Sequence, residues 1–295
     1  MELIIGKTAG FCFGVRNAVD KTYEQLKSST PNLYCLGELV HNEKIVSDLN
    51  KNGVTTIDNI EDIPNNSNVI IRAHGVEPNV YDVAKEKNIS IIDLTCPKVA
   101  KIHETAKEFA NNGYYIMLIA ENKHPETIGT KGFCGKNCTI LENVEDIEGA
   151  IESFRKSNLS KILIIAQTTF SMEKFDSIVN KIKENINCKI EIKNTICNAT
   201  AMRQAETEEL SKQVDLMIII GGKNSANTKR LYDIACKNCN SAILIQNKDD
   251  KDFKETIKNK FNKIGIMAGA STPQESINDV IEYIKDIGGK NEYIK

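Results

Sequence analysis

One unit recurs along this chain and limits what it can fold into: a short apolar, β-rich run, a polar or glycine-containing loop, then a charged stretch of helical period. ELIIGKTA precedes VRNAVDKTYEQLK, NVIIRAHG precedes VYDVAKEKN, and SIIDLTC precedes KVAKIHETAKEFANN. YYIMLIA follows, then KILIIAQTT before MEKFDSIVNKIKEN, DLMIIIGG before NTKRLYDIACKN, and KIGIMAGAS before PQESINDVIEYIKD. Strands separated by helices predict an α/β protein of parallel sheets, joined by right-handed crossovers and covered by helices. Ligands of such sheets bind at the carboxyl ends of the strands, so the loops that follow the apolar runs are where chemistry is expected.

Composition narrows the function. With 38 Lys+Arg against 40 Asp+Glu the formal charge is −2, which excludes a strongly basic nucleic-acid clamp. Aromatic residues make up 6% and Trp is absent, which removes the usual stacking platforms for bases. No nucleic-acid partner is expected. Apolar runs such as 217–220 fall far below the roughly 18 residues of a bilayer-spanning helix. The opening MELIIGKTAG has no basic segment, apolar segment or small-residue cleavage site of a secretory signal. A cytoplasmic protein with no membrane partner is expected.

Nine cysteines in such a chain need an explanation, since a reducing compartment argues against a disulfide framework and leaves metal binding or redox chemistry. Cys12, Cys96 and Cys197 each stand in a loop that ends a strand and opens a helix. They are spaced at intervals of roughly a hundred residues, the size of a small domain. The spacing predicts three small parallel-sheet α/β domains, 1–95, 96–194 and 195–295, with the N-terminal strand and the Cys12 loop packing with the third. Each domain then offers one thiol to a common centre, a pseudo-threefold arrangement around an iron–sulfur cluster. Helix N-termini favour the thiolate, the form that binds iron. A 4Fe-4S cluster usually takes four Cys ligands, so three leave one iron open for substrate. The competing reading makes all three plain buried thiols. Cys134 with Cys138, and Cys236 with Cys239, have spacings from which a four-thiolate zinc site can be built, or are incidental helix-end and loop thiols. Cys35 and Cys188 read as filler.

Three of the four histidines, His41, His74 and His124, also follow apolar stretches, whereas His103 fits a helix face. Imidazoles near helix N-termini bind anionic phosphate or relay protons. GGKNSANT adds Ser225 and Asn227, and GASTPQE adds Ser271, as donors to phosphate oxygens or as ordinary helix caps. Neither a GxxxxGK[ST] loop nor a GxGxxG fingerprint is present. Electrons for a redox reaction are therefore expected from a ferredoxin- or flavodoxin-type protein.

Taken in order, GFCFGV, VHNE, AHGV, DLTCP, HPE, QTT, TICNAT..RQ, GGKNSANT and AGASTP resemble the motifs of the 4-hydroxy-3-methylbut-2-enyl diphosphate reductases, the LytB family, over nearly the whole chain. The resemblance implies a cluster on Cys12, Cys96 and Cys197, one per chain, and a diphosphate pocket of His41, His74, His124, Ser225, Ala226, Asn227 and Ser271. It places Glu126 as the acid and Thr168 beside the reacting carbon chain. The implied reaction removes an allylic hydroxyl with two electrons and two protons, giving isopentenyl and dimethylallyl diphosphates, the last step of the non-mevalonate pathway. Two departures stand out: Ala226 where many relatives carry a second Ser, and Thr127-Ile128 after HPE where Val is usual next. Ala226 lacks a side-chain donor but keeps its backbone N–H. A bacterial, stand-alone reductase without leader or appended domain is implied. Two further readings stay open at this point. One is a non-redox iron–sulfur hydratase of aconitase type. The other is a binding module whose close cysteine pairs hold structural zinc.

Overall fold

The computed structural model describes residues 1–28 and 32–288. The first strand is β1 (Glu2–Ile5). Next come β2 (Leu33–Leu36), β3 (Thr55–Ile57), β4 (Asn68–Ile71) and β5 (Ser90–Asp93). They are followed by β6 (Tyr115–Ile119), β7 (Cys138–Leu141), β8 (Lys161–Ala166) and β9 (Lys189–Ile192). The last are β10 (Leu216–Ile220), β11 (Ala242–Ile245) and β12 (Lys263–Ala268). They form three four-stranded sheets in which every pairing is parallel.

Two sheets share one plan, β3-β2-β4-β5 and β7-β6-β8-β9. The remaining sheet reads β11-β10-β12-β1. It follows the same plan, with the N-terminal strand taking the place of a fourth strand. The α/β class and the three parallel sheets agree with the reading of the sequence. Two compact units are present. One takes Met1–Arg16, Val40–Val46 and the described part of Asn198–Lys295; the other takes Asn17–Leu39 and Ser47–Cys197 and holds two of the sheets.

The central strands make the cores. Every residue of β6 and β10 is buried, and Ile162 through Ala166 of β8 are fully so, as expected of strands covered on both faces. Each such Ile or Leu stabilises its layer by about 1.5–3 kcal/mol. Helices with one apolar stripe close the sheets: Phe175, Ile178, Val179 and Ile182 of Met172–Asn185 pack on β6 and β8, and Ile277, Val280, Ile281 and Ile284 of Gln274–Gly288 pack on β10 and β12. The sequence reading passes over β3, β7 and β11, which are short edge strands of mostly half-buried residues, and also the central but four-residue β2.

Candidate functional site

The three sheets deliver their loops in the same way. Cys12, Cys96 and Cys197 each stand immediately before the first residue of a helix, namely Phe13–Lys27, Pro97–Asn111 and Asn198–Ser211. The strands that lead to them, β1, β5 and β9, are edge strands at the same place in the sheet plan. Their backbone N–H groups are anchored alike, Cys12 to the Ala270 carbonyl (3.2 Å), Cys96 to that of Ala73 (3.0 Å) and Cys197 to that of Thr168 (3.0 Å). Each acceptor is the second residue after β12, β4 or β8. The shared loop design is thus written in backbone bonds as well as in cysteine position, and each thiol is partly exposed.

The other cysteines are placed differently. Cys35 is buried in β2, and burial pushes its thiol up to about 12. Cys134 caps the C-terminus of Pro125–Phe133, its Sγ donating to the Thr130 carbonyl at 3.3 Å, and Cys138 opens β7. Cys236 lies exposed on the helix Ala226–Asn238, which Cys239 ends. Cys188 packs at the edge of an apolar core.

In the larger unit the site is built around Glu126. His124 caps the helix Pro125–Phe133, its Nδ1 accepting the Glu126 N–H at 3.2 Å. In the neutral ring that bond leaves the proton on Nε2. His74, in the turn after β4, meets the His124 ring edge-on with centroids 5.4 Å apart. The Glu126 side chain is 2% exposed. Its Oε1 accepts the Thr168 N–H at 2.6 Å and its Oε2 the Thr168 hydroxyl at 2.5 Å. Burial raises this carboxyl to about 7, against the opposing effect of the two Thr168 bonds. A group that titrates there can both hold and give a proton at neutral pH. Because the Thr168 carbonyl accepts from Cys197, acid, hydroxyl and thiol-bearing backbone form one continuous hydrogen-bonded path.

His103, set aside on sequence as a helix-face residue, is buried and stacks on Phe133 at 4.4 Å between centroids. A Cβ on Gly75, whose φ is +69°, would lie 2.6 Å from the His103 ring. His103 therefore backs the turn that carries His74, and burial pulls its imidazole down to about 4, so it stays neutral. Only its place on the helix that Cys96 precedes could have signalled this.

In the smaller unit Ser225 caps Ala226–Asn238, accepting the Thr228 N–H, with Ala226 and Asn227 in the first turn. Among the described residues, both Oδ1 and Nδ2 of Asn227 are buried without a hydrogen-bond partner, which natural sites rarely leave so unless a ligand or water meets them. The Ser271 hydroxyl donates to the His41 carbonyl at 3.3 Å. That carbonyl also lies where a Cβ on Gly222 would come within 2.3 Å. His41, the Ser225 loop and Ser271 are held together by that close approach. Gly222→Ala is expected to destabilise the protein by about 1–3 kcal/mol, since both clashing atoms belong to backbone. An unchanged urea midpoint would show that the approach does not constrain the fold.

The LytB protein family model matches residues 3–285. The chain belongs to the LytB family. Among curated LytB relatives, the 4-hydroxy-3-methylbut-2-enyl diphosphate reductase of Clostridioides difficile is 40% identical over 287 residues, covering 97% of this chain and 100% of the relative. The reductase of Caldanaerobacter subterraneus subsp. tengcongensis is 39% identical over 295 residues, with 99% of each chain covered. Among solved structures, the E-1-hydroxy-2-methyl-but-2-enyl-4-diphosphate reductase of Plasmodium falciparum superposes with a TM-score of 0.86 at 32% identity, covering 95% of this chain and 87% of that one. A second, described as the terminal enzyme of the non-mevalonate pathway, gives 0.69 at 36% identity, covering 97% and 99%. These LytB relatives are reductases, and they lend nothing to the hydratase or zinc-module readings. Among the described residues no helix is long and apolar enough to cross a membrane.

Proposed function

We propose that this chain reductively dehydroxylates (E)-4-hydroxy-3-methylbut-2-enyl diphosphate. The allylic C–O bond breaks, two electrons and two protons enter, oxygen leaves as water, and isopentenyl and dimethylallyl diphosphates form. The observation that carries this reading is the Glu126–Thr168–Cys197 path, which sets a carboxyl that titrates near 7 beside a thiol-bearing loop. Relatives of the same name over the full chain support it.

Cys12, Cys96 and Cys197 hold a 4Fe-4S cluster in this reading, with one iron free of protein ligands. The donor set fits: soft thiols, partly exposed, each at a helix start with its backbone pinned. When bound, such a cluster supplies the electrons and a Lewis-acid iron for the departing oxygen. A ferredoxin- or flavodoxin-type protein delivers the electrons, in a cytoplasmic setting. Three domains divided at 1–95, 96–194 and 195–295 go with one thiol each.

The chain's own groups do the remaining work. Hydroxide leaves poorly, so protonated Glu126 gives its proton toward the allylic oxygen while Thr168 orients that hydroxyl. His124, with its proton on Nε2, and His74 donate toward the diphosphate. Ser225, the Ala226 N–H, Asn227, Ser271 and His41 are further donors for a diphosphate, and the helix N-terminus that Ser225 caps favours an anion. Asn227 takes the carrying role there, since its amide is buried and unmatched among the described residues. Asn227→Ala is expected to weaken binding of inorganic diphosphate by about 10- to 100-fold, the loss of a hydrogen bond to a charged group. Calorimetric titration of the anaerobically purified protein measures it. Parental affinity in a folded Asn227→Ala protein would remove Asn227 from the pocket.

A further inference from the structure

The helix Asn198–Ser211, which begins at Cys197, does more than follow that thiol. One of its faces grips the loop that ends at Cys12. Arg203, 5% exposed, donates from Nη2 to the Gly10 carbonyl at 2.7 Å and from Nη1 to the Ala199 carbonyl of its own helix at 2.9 Å. One turn on, the Glu206 carboxylate accepts three bonds from the start of the same loop. They come from the Lys7 N–H at 2.6 Å, the Thr8 N–H at 2.9 Å and the Thr8 hydroxyl at 2.5 Å. The loop cannot move inward either. A Cβ on Gly6 would strike the Met267 sulfur, and Gly10 takes a φ of +97° beside the Thr272 carbonyl. Residues 6–11 contribute no strand or helix of their own, and backbone bonds hold the path from β1 to Cys12 at three points, Gly6 to the Ile266 carbonyl, Ala9 to that of Gly6 and Cys12 to that of Ala270, so the Arg203 and Glu206 side chains supply the remaining ties at Lys7, Thr8 and Gly10.

We propose that Arg203 and Glu206 are positioning residues for the Cys12 thiol: they hold its loop in the conformation that binds iron, and tie that ligand to the helix opened by Cys197. The proposal rests on Cys12 being a cluster ligand, as inferred above. A multidentate carboxylate on two backbone N–H groups cannot be replaced by an amide without turning one acceptor into a donor. A lysine at 203 reaches one carbonyl where the guanidinium fork reaches two.

The test uses the full-length chain with Glu206→Ala, Glu206→Gln, Arg203→Lys and, as the mildest change, Thr8→Val, which removes only the hydroxyl donor. After iron removal, each cysteine's rate of alkylation by iodoacetamide is followed by peptide mass spectrometry. Cys12 is expected to react about tenfold faster in Glu206→Ala, since a stranded backbone donor loosens its loop, with a smaller rise in Thr8→Val and Arg203→Lys. Cys96 and Cys197 keep their parental rates. Iron release to a chelator from the anaerobically loaded protein accelerates in the same order. Parental Cys12 rates in every variant, or equal acceleration at all three cysteines, would overturn the clamp. Iron retained by Cys12→Ser would instead overturn the ligand reading on which it rests. Iron lost from Cys12→Ser but held at the parental rate by Glu206→Ala would overturn the clamp alone.

Discussion

Glu126→Gln lowers the rate of dehydroxylation by about 100-fold or more, the usual worth of a positioned acid, while substrate affinity and iron content stay near parental. The amide keeps the volume in a site only 2% exposed and can still accept one Thr168 bond, but it carries no titratable proton. The pH profile separates this from a packing defect. Burial raises the carboxyl to about 7, so the acid form needed for proton donation is present below that value and is lost as pH rises through it. The parental rate therefore falls on the alkaline side of about 7, and the residual rate of Glu126→Gln lacks that limb. The same shift acts on stability. A raised carboxyl favours the folded state fully below its ordinary value of 4.5, and that contribution is lost as pH climbs to about 7. Glu126→Gln is thus expected to flatten this part of the stability curve. Parental turnover in the variant under saturating reductant would assign the proton to another donor.

The second large effect is at the thiols. Ser at Cys12, Cys96 or Cys197 replaces a soft ligand by a hard, weakly acidic one, and each change is expected to abolish the brown absorbance of the anaerobically loaded protein and reduce turnover to background. Ser at Cys134, Cys138, Cys236 or Cys239 leaves both intact, because those four lie at a helix end, a strand start or on a helix rather than immediately before a helix. Loss of absorbance on changing any of these four, with retention on changing Cys96, would reverse the ligand assignment.

What could be read from the sequence depended on how completely each element is buried. YYIMLIA, KILIIA and DLMIII announce themselves because β6, β8 and β10 are covered on both faces, leaving little room for a polar residue. The edge strands β3 and β7 are three or four residues long and partly exposed, so TTI and CTIL look no different from loop. The cysteine spacing pointed to three repeats, and Glu2–Ile5 pairs in parallel with β12, joining opposite ends of the chain. In the site, strand-end placement pointed to His74 and His124, whereas Glu126 came from the family resemblance. The supporting residues were hidden for a different reason. His103, Arg203 and Glu206 sit inside helices, where His, Arg and Glu are ordinary surface choices, and only tertiary packing against Gly75, Gly10 and Thr8 gives them a task.

One assay bears most directly on the proposed function. The full-length chain, loaded anaerobically with iron and sulfide, is mixed with reduced methyl viologen and (E)-4-hydroxy-3-methylbut-2-enyl diphosphate, and viologen oxidation and products are followed together. The account predicts two electrons consumed for each substrate converted, with isopentenyl and dimethylallyl diphosphates as products and no conversion when the reductant is left out. Conversion that proceeds without reductant, or an iron-loaded protein that leaves the substrate untouched, would contradict it.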